Sequence, residues 1–310
     1  MADVPIAATR PAGRTSRAAR ILGRDWLLGF LFIAPVVVSV FGLIAYPGVL
    51  AIYLSMTQKL IGYRPVFIGL QNYVELWHDP FFRRALWNTV VFTTVAVALK
   101  LVIGLVMALT LNAGIRAKNF WTGFLLIPWV TPTVVSSLNF LWMFDGLLGV
   151  INYILVHAGI LSQPIGWLAN PKTAMASIIA ANVWRGFPFF GVTILAGLQT
   201  IPHELYEAAA VDGASRFRQF WHITLPGIKY VAIVATLLST IWTFNDFQAV
   251  YILTRGGPGG ATHIVGTLTY EIAIDGLNLG KGTAVSIFAM PLMALLIFLF
   301  TRYTQREVGA

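Results

Sequence analysis

Residues 86–111 read LWNTVVFTTVAVALKLVIGLVMALTL, a run of 26 residues in which Lys100 is the one charged side chain. At 1.5 Å per residue a helix of this length extends about 39 Å, enough to cross roughly 30 Å of hydrocarbon. Five further stretches of similar character lie at 26–54, 120–144, 174–198, 230–253 and 283–301. The 15-residue apolar segment 147–161 is too short to span and is expected to be an interfacial or externally packed helix. Composition agrees: 57% of the 310 residues are hydrophobic and 11% charged, against roughly 25% charged in soluble domains. Mean hydropathy is +0.76. The expected fold is all-α, a polytopic bundle of six transmembrane helices with no need for strands.

Three regions follow: a basic amino-terminal segment (1–25), a six-span domain (26–301) interrupted by a polar loop at 200–228, and a short tail (302–310). Twelve Lys and Arg fall on one side, including Arg10, Arg14, Arg17, Arg20 and Arg24, and seven on the other. The positive-inside rule therefore puts both termini in the cytoplasm. Arginines directly before a first span are read as an orientation signal and not as a nucleic-acid arm. The first apolar stretch is longer than a cleaved signal's core, so no cleaved signal is expected.

Enzymatic chemistry is not expected. Cysteine is absent, and the five histidines are scattered without an HExxH pattern. Residues 276–283, GLNLGKGT, fail as a phosphate-binding loop because three residues separate the glycines where four are needed, and Gly282 follows Lys281 in place of Ser or Thr. Neither cofactor nor metal is expected on this chain.

The polar segment 200–229 reads TIPHELYEAAAVDGASRFRQFWHITLPGIK. Ile201, Leu205 and Ala208 recur at helical spacing, as do Phe217, Phe220 and Trp221, so two amphipathic helices are expected. Gly213 between them can take positive φ and turn the chain, and Pro226 is expected to stop the second helix before the next span. The hairpin could dock on a partner or pack on its own bundle.

Glu207-Ala208-Ala209, then Gly213, then Ile223-Thr224-Leu225-Pro226 resembles the EAA motif of inner-membrane permease subunits of bacterial binding-protein-dependent ABC importers. The chain further resembles the carbohydrate-uptake branch of maltose and glycerol-phosphate permeases, through Phe67-Ile68-Gly69-Leu70-Gln71-Asn72-Tyr73, Asp79-Pro80, Asn88-Thr89 and Leu253-Thr254-Arg255-Gly256-Gly257-Pro258. Many members carry a second proline where this chain has Lys229-Tyr230. The resemblance implies a second related permease subunit, an ATPase subunit dimer that binds ATP and Mg, an extracytoplasmic solute-binding protein, and residence in the lipid of the bacterial inner membrane. It further implies that Glu207, Ala208, Ala209, Asp212, Gly213, Leu225 and Pro226 form the ATPase-coupling surface.

Polar groups at membrane depth face a bundle interior or a wet cavity. Asn182 and Gly186 share a helix face with Arg185 beside them, while Ser239, Thr243 and Asp246 recur along the fifth span next to Trp242. Asn182, Gly186, Ser239, Trp242, Thr243 and Asp246 are the expected substrate-binding residues for a sugar or sugar-like solute, and resemblance to the maltose-type permease implies a site around the same positions. A gating ion pair is the alternative for Arg185 and Asp246, and a satisfied interior charge is the reading of Lys100. Ser136 and Ser137 are weaker candidates, and hydrogen bonding between spans is the plainer role for any one of these side chains. The alternative function is a secondary active transporter using Asp246 as an intramembrane ion site.

Overall fold

The computed structural model describes the backbone from Asp25 to Val308. The amino-terminal arginines at 10, 14, 17, 20 and 24 and the end of the tail lie outside the described residues. The described residues divide into two compact units between Tyr53 and Leu54. In the first, α1 (Asp25–Val40) runs through a π-helical turn, Phe41–Ala45, into α2 (Tyr46–Ser55). Its segment Gly29–Ser55 is long and apolar enough to span a membrane.

The second unit is built on α4 (Pro80–Asn112), which follows α3 (Gln71–His78), and α8 (Pro171–Leu198); between them in the chain lie the bent pair α5 (Lys118–Val130) and α6 (Thr133–Met143) and the short α7 (Val150–His157). Helices in lipid gain little from the hydrophobic effect on meeting one another, so close approach depends on small residues. Gly104 and Gly191 supply it. A Cβ at Gly104 would lie 2.4 Å from Phe190 Cβ and 2.9 Å from the Gly191 nitrogen, and one at Gly191 would lie 2.3 Å from Met107 Sδ. The opposite face of α4 leaves Leu99, Val102, Ile103 and Val106 exposed, a surface suited to lipid and not to water.

Three sequence expectations are corrected. Residues 120–144 are not one straight span, because α5 and α6 meet at 89°. Pro132 forces the preceding Thr131 into an extended conformation (ψ 127°) and so separates the two helices. The stretch 230–253 is likewise broken: α11 (Leu225–Phe244) ends before Asp246, which then caps α12 (Phe247–Thr254). Asp246 therefore sits at a helix break and does not continue the face of Ser239 and Thr243. Pro226, finally, does not stop a helix. The chain runs helically from α10 (Arg216–Gln219) through a π-turn, Phe220–Thr224, into α11, and the widened turn accommodates a proline that lacks an N–H and would crowd an ordinary α-turn.

The described residues also contain a strand pair that the all-helical expectation omits, β1 (Thr57–Gln58) antiparallel to β2 (Val66–Phe67). It belongs to a layer in which the motif residues act as fasteners. Asn72, buried, donates to the carbonyls of Ser55 and Thr57 at 2.8 and 2.9 Å. The Asp79 carboxylate accepts from Phe81 N at the start of α4, with Pro80 pre-set for the first turn. Asn88 donates to the carbonyls of Ala261 and His263, and Thr89 accepts from Val265 N. Together they fix the segment leading to α13 (Val265–Tyr270), the π-helical Glu271–Asp275 and α14 (Leu279–Val308).

Because Gly104 meets backbone as well as side chain, Gly104→Leu is expected to destabilise the second unit by about 3 kcal/mol, the upper end of typical overpacking costs. Thermal unfolding of the purified protein in detergent checks this, with Gly123→Leu as a control at a position open on all sides.

Candidate functional site

Where α4, α8 and α11 pass the break between α5 and α6, a cavity of 350 Å³ is lined by Lys100, Trp129, Asn182, Arg185, Gly186, Phe189, Ser239, Trp242 and Thr243. Five of the six expected solute residues, Asn182, Gly186, Ser239, Trp242 and Thr243, are in its wall. The sixth, Asp246, lies behind it. Its Oδ2 accepts from Asn182 Nδ2 at 2.7 Å and from Arg185 Nη2 at 3.0 Å, and its Oδ1 caps α12 through Ala249 N at 3.4 Å. Arg185 also donates to Thr133 Oγ1 at 2.8 Å, so the guanidinium ties α8 to both helix breaks. Since a carboxylate only accepts, the amide of Asn182 must turn its NH₂ toward Asp246; its Oδ1 is buried without a partner.

Lys100 enters the wall from α4 and donates to Thr243 Oγ1 at 3.0 Å. Thr243 in turn donates to the Ser239 carbonyl one turn earlier. Gly186 has a different role from the open space expected of it. A Cβ there would lie 2.5 Å from Lys100 Cε, so the missing side chain gives passage to the lysine stem. Phe189 meets Trp242 edge-on at 5.0 Å and Trp129 at 6.2 Å, extending an aromatic border. Sequence reasoning passed over Trp129 and Phe189 as candidates. Phe189 was recoverable, since 182, 186 and 189 follow helical spacing; Trp129 enters only through the bend after it. Ser136 and Ser137 are buried in α6 and do not line the cavity.

The second candidate surface is the loop between α8 and α11. Its first helix, α9 (His203–Val211), is followed by Gly213 at φ +75°, and Ser215 caps α10 by accepting from Arg218 N. The hairpin is pinned at its base by Tyr206 and Thr224, whose hydroxyls lie 3.0 Å apart. Its face is open. Glu207, Ala208, Asp212, Gly213 and Pro226 are exposed, with Ala209 and Leu225 half-buried, and Val211 and Phe217 are 88% and 74% exposed. Packing of the hairpin on its own bundle leaves these apolar groups uncovered.

Residues 100–308 match the family described as "binding-protein-dependent transport system inner membrane component". The chain belongs to this family. It is a permease subunit of a binding-protein-dependent ABC importer. It is 39% identical to the trehalose/maltose transport system permease of Thermococcus litoralis, over 92% of this chain and 96% of that protein. Identity to the sulfoquinovosyl glycerol transport system permease of Agrobacterium fabrum is 36%, over 89% and 90%. The fold is shared with a chain of a bacterial ABC transporter that imports the acidic polysaccharide alginate, with a TM-score of 0.80 at 22% identity over 94% of the permease and 99% of that chain.

Removing one member of a buried ion pair costs more than removing both, because the survivor is left uncompensated. Arg185→Leu should lower stability by about 3 kcal/mol, reduced from the fully buried case because Arg185 is 29% exposed while Asp246 is 7% exposed. Arg185→Leu combined with Asp246→Leu should recover part of that loss. A double-mutant cycle on thermal unfolding measures the coupling.

Proposed function

We propose that this permease carries a sugar-type solute through the cavity between α4, α8 and α11, powered by an ATPase dimer seated on the hairpin that contains Glu207. The observation that carries this reading is the convergence of Asn182, Ser239, Thr243 and Lys100, from three membrane-spanning helices, on one cavity bordered by Trp129 and Trp242. Hydroxyl and amide groups can bond sugar hydroxyls, and indoles can stack on a sugar face. The relatives named for trehalose/maltose and for sulfoquinovosyl glycerol support the solute class.

The same reading gives the chain its partners: a second related permease completing the pathway, the ATPase dimer with its ATP and Mg, an extracytoplasmic solute-binding protein, and surrounding lipid. It places the subunit in the bacterial inner membrane with both termini cytoplasmic, as the charge distribution implies. Within the hairpin, Glu207 makes a polar contact with the ATPase, Gly213 provides the bend, Ala208 and Ala209 allow close approach, and Asp212, Leu225 and Pro226 complete the seat. Because α8 leads directly into the hairpin and the hairpin continues without a helix break into α11, both helices that flank the loop also wall the cavity. Closure of the ATPase dimer would move them together and change which side the cavity faces. The secondary-transporter alternative is disfavoured by Asp246 itself, whose Oδ2 is engaged by Arg185 and Asn182.

The test is uptake and ATP hydrolysis by the complete importer in proteoliposomes. Glu207→Lys should uncouple hydrolysis from transport or weaken ATPase attachment, and normal complex recovery with normal uptake would refute the hairpin's role. Ser239→Ala removes a hydrogen bond worth about 0.5–1.5 kcal/mol and should reduce uptake a few-fold with hydrolysis retained. Unchanged uptake would move the solute site elsewhere.

A further inference from the structure

Two basic side chains, Lys100 and Arg185, line the cavity. Among the described residues Asp246 is the one carboxylate that contacts this wall, and its Oδ2 already accepts from Arg185 and Asn182. Lys100, buried at 4% exposure, donates to a neutral hydroxyl, that of Thr243. Among the described residues no carboxylate lies within ion-pairing distance of Lys100. Its position is not incidental, because α8 carries glycine at the one point where the lysine stem crosses it. An ammonium has three N–H donors; one is taken by Thr243, and the residue borders an open cavity at membrane depth.

A lysine there with no carboxylate partner is costly to charge and marks a functional group by default. A neutral sugar would satisfy part of its hydrogen bonding and none of its charge. An acidic group on the solute would satisfy both, in a charge-assisted hydrogen bond. We propose, building on the solute-pathway reading above, that the transported solute is an anionic sugar or glycoside. Its carboxylate, sulfonate or phosphate meets Lys100, with Arg185 adjacent, while the ring lies against Trp242 or Trp129.

The experiment titrates the detergent-solubilised, fully assembled importer with methyl β-D-glucuronide, glucose 6-phosphate and methyl β-D-glucoside, reading thermal protection of the permease. At least one anionic probe should bind about tenfold more tightly than the glucoside, the increment expected of a charged hydrogen bond. Which anionic probe wins identifies carboxylate or phosphate as the preferred group. Lys100→Gln should collapse that ratio toward one, and Lys100→Arg should retain most of it. Equal or preferred binding of the glucoside by the unmodified complex overturns the anionic assignment and leaves the sugar pathway standing, so the result does not depend on recovering the variants. Failure of all three probes to bind, with Ser239→Ala transporting normally, overturns the pathway reading and this proposal with it.

Discussion

Asp246 is the group on which the arrangement of the second unit turns. A carboxylate placed at membrane depth must be compensated, and three requirements meet there. The break after α11 needs a cap for α12, Arg185 needs an anion, and Asn182 needs its amide oriented. Because Arg185 also reaches Thr133 at the start of α6, the single carboxylate indirectly links α8, α11, α12 and the bent α5–α6 pair. The cavity exists on one side of this cluster, and its polar wall consists of the cluster's outward-facing neighbours.

The hairpin is the mechanical counterpart of that cluster. Its base is held by Tyr206 and Thr224, while its apolar and acidic face is left open. Helical continuity through Phe220–Thr224 into α11 matters for function. From Pro226 to Ser239 is one helix of fourteen residues, about 20 Å at 1.5 Å per residue, so under the proposed coupling a force applied at the hairpin would reach the cavity through a rigid element. A helix stopped at Pro226 would have introduced a joint where the π-turn instead preserves a lever.

Spans, hairpin and most of the cavity wall were legible in the sequence, because hydrophobic runs, amphipathic spacing and polar groups within apolar stretches are local signals. Gly213 was read correctly from its chemistry alone, as its positive φ attests. The misreadings share a cause. The bend at Thr131-Pro132, the break at Asp246 and the π-turn before Pro226 are decided by tertiary partners or by register within a helix, and apolar composition is blind to both. Lys100 and Gly186 illustrate the limit most clearly. Each was visible as a notable residue, yet that the glycine exists to let the lysine cross is a relation between helices 86 positions apart in the chain. The motif residues Asn72, Asp79 and Asn88 were recognised by resemblance, and only the structure explains them, as fasteners of the layer around the strand pair.

The central claim is that the cavity walled by α8 and α11 is the solute pathway and that it changes access when the ATPase acts. The chain lacks cysteine, so a single Ser239→Cys substitution gives it a unique thiol in the cavity wall, with Leu148→Cys, at a 93% exposed site, as reference. The decisive measurement is the rate at which a membrane-impermeant thiol reagent modifies that residue in the assembled importer, applied from either side, with and without nucleotide trapping. The account predicts that trapping reverses the side from which Ser239→Cys is accessible while the reference is unaffected. Labelling that is absent from both sides, or indifferent to the nucleotide state, would contradict it.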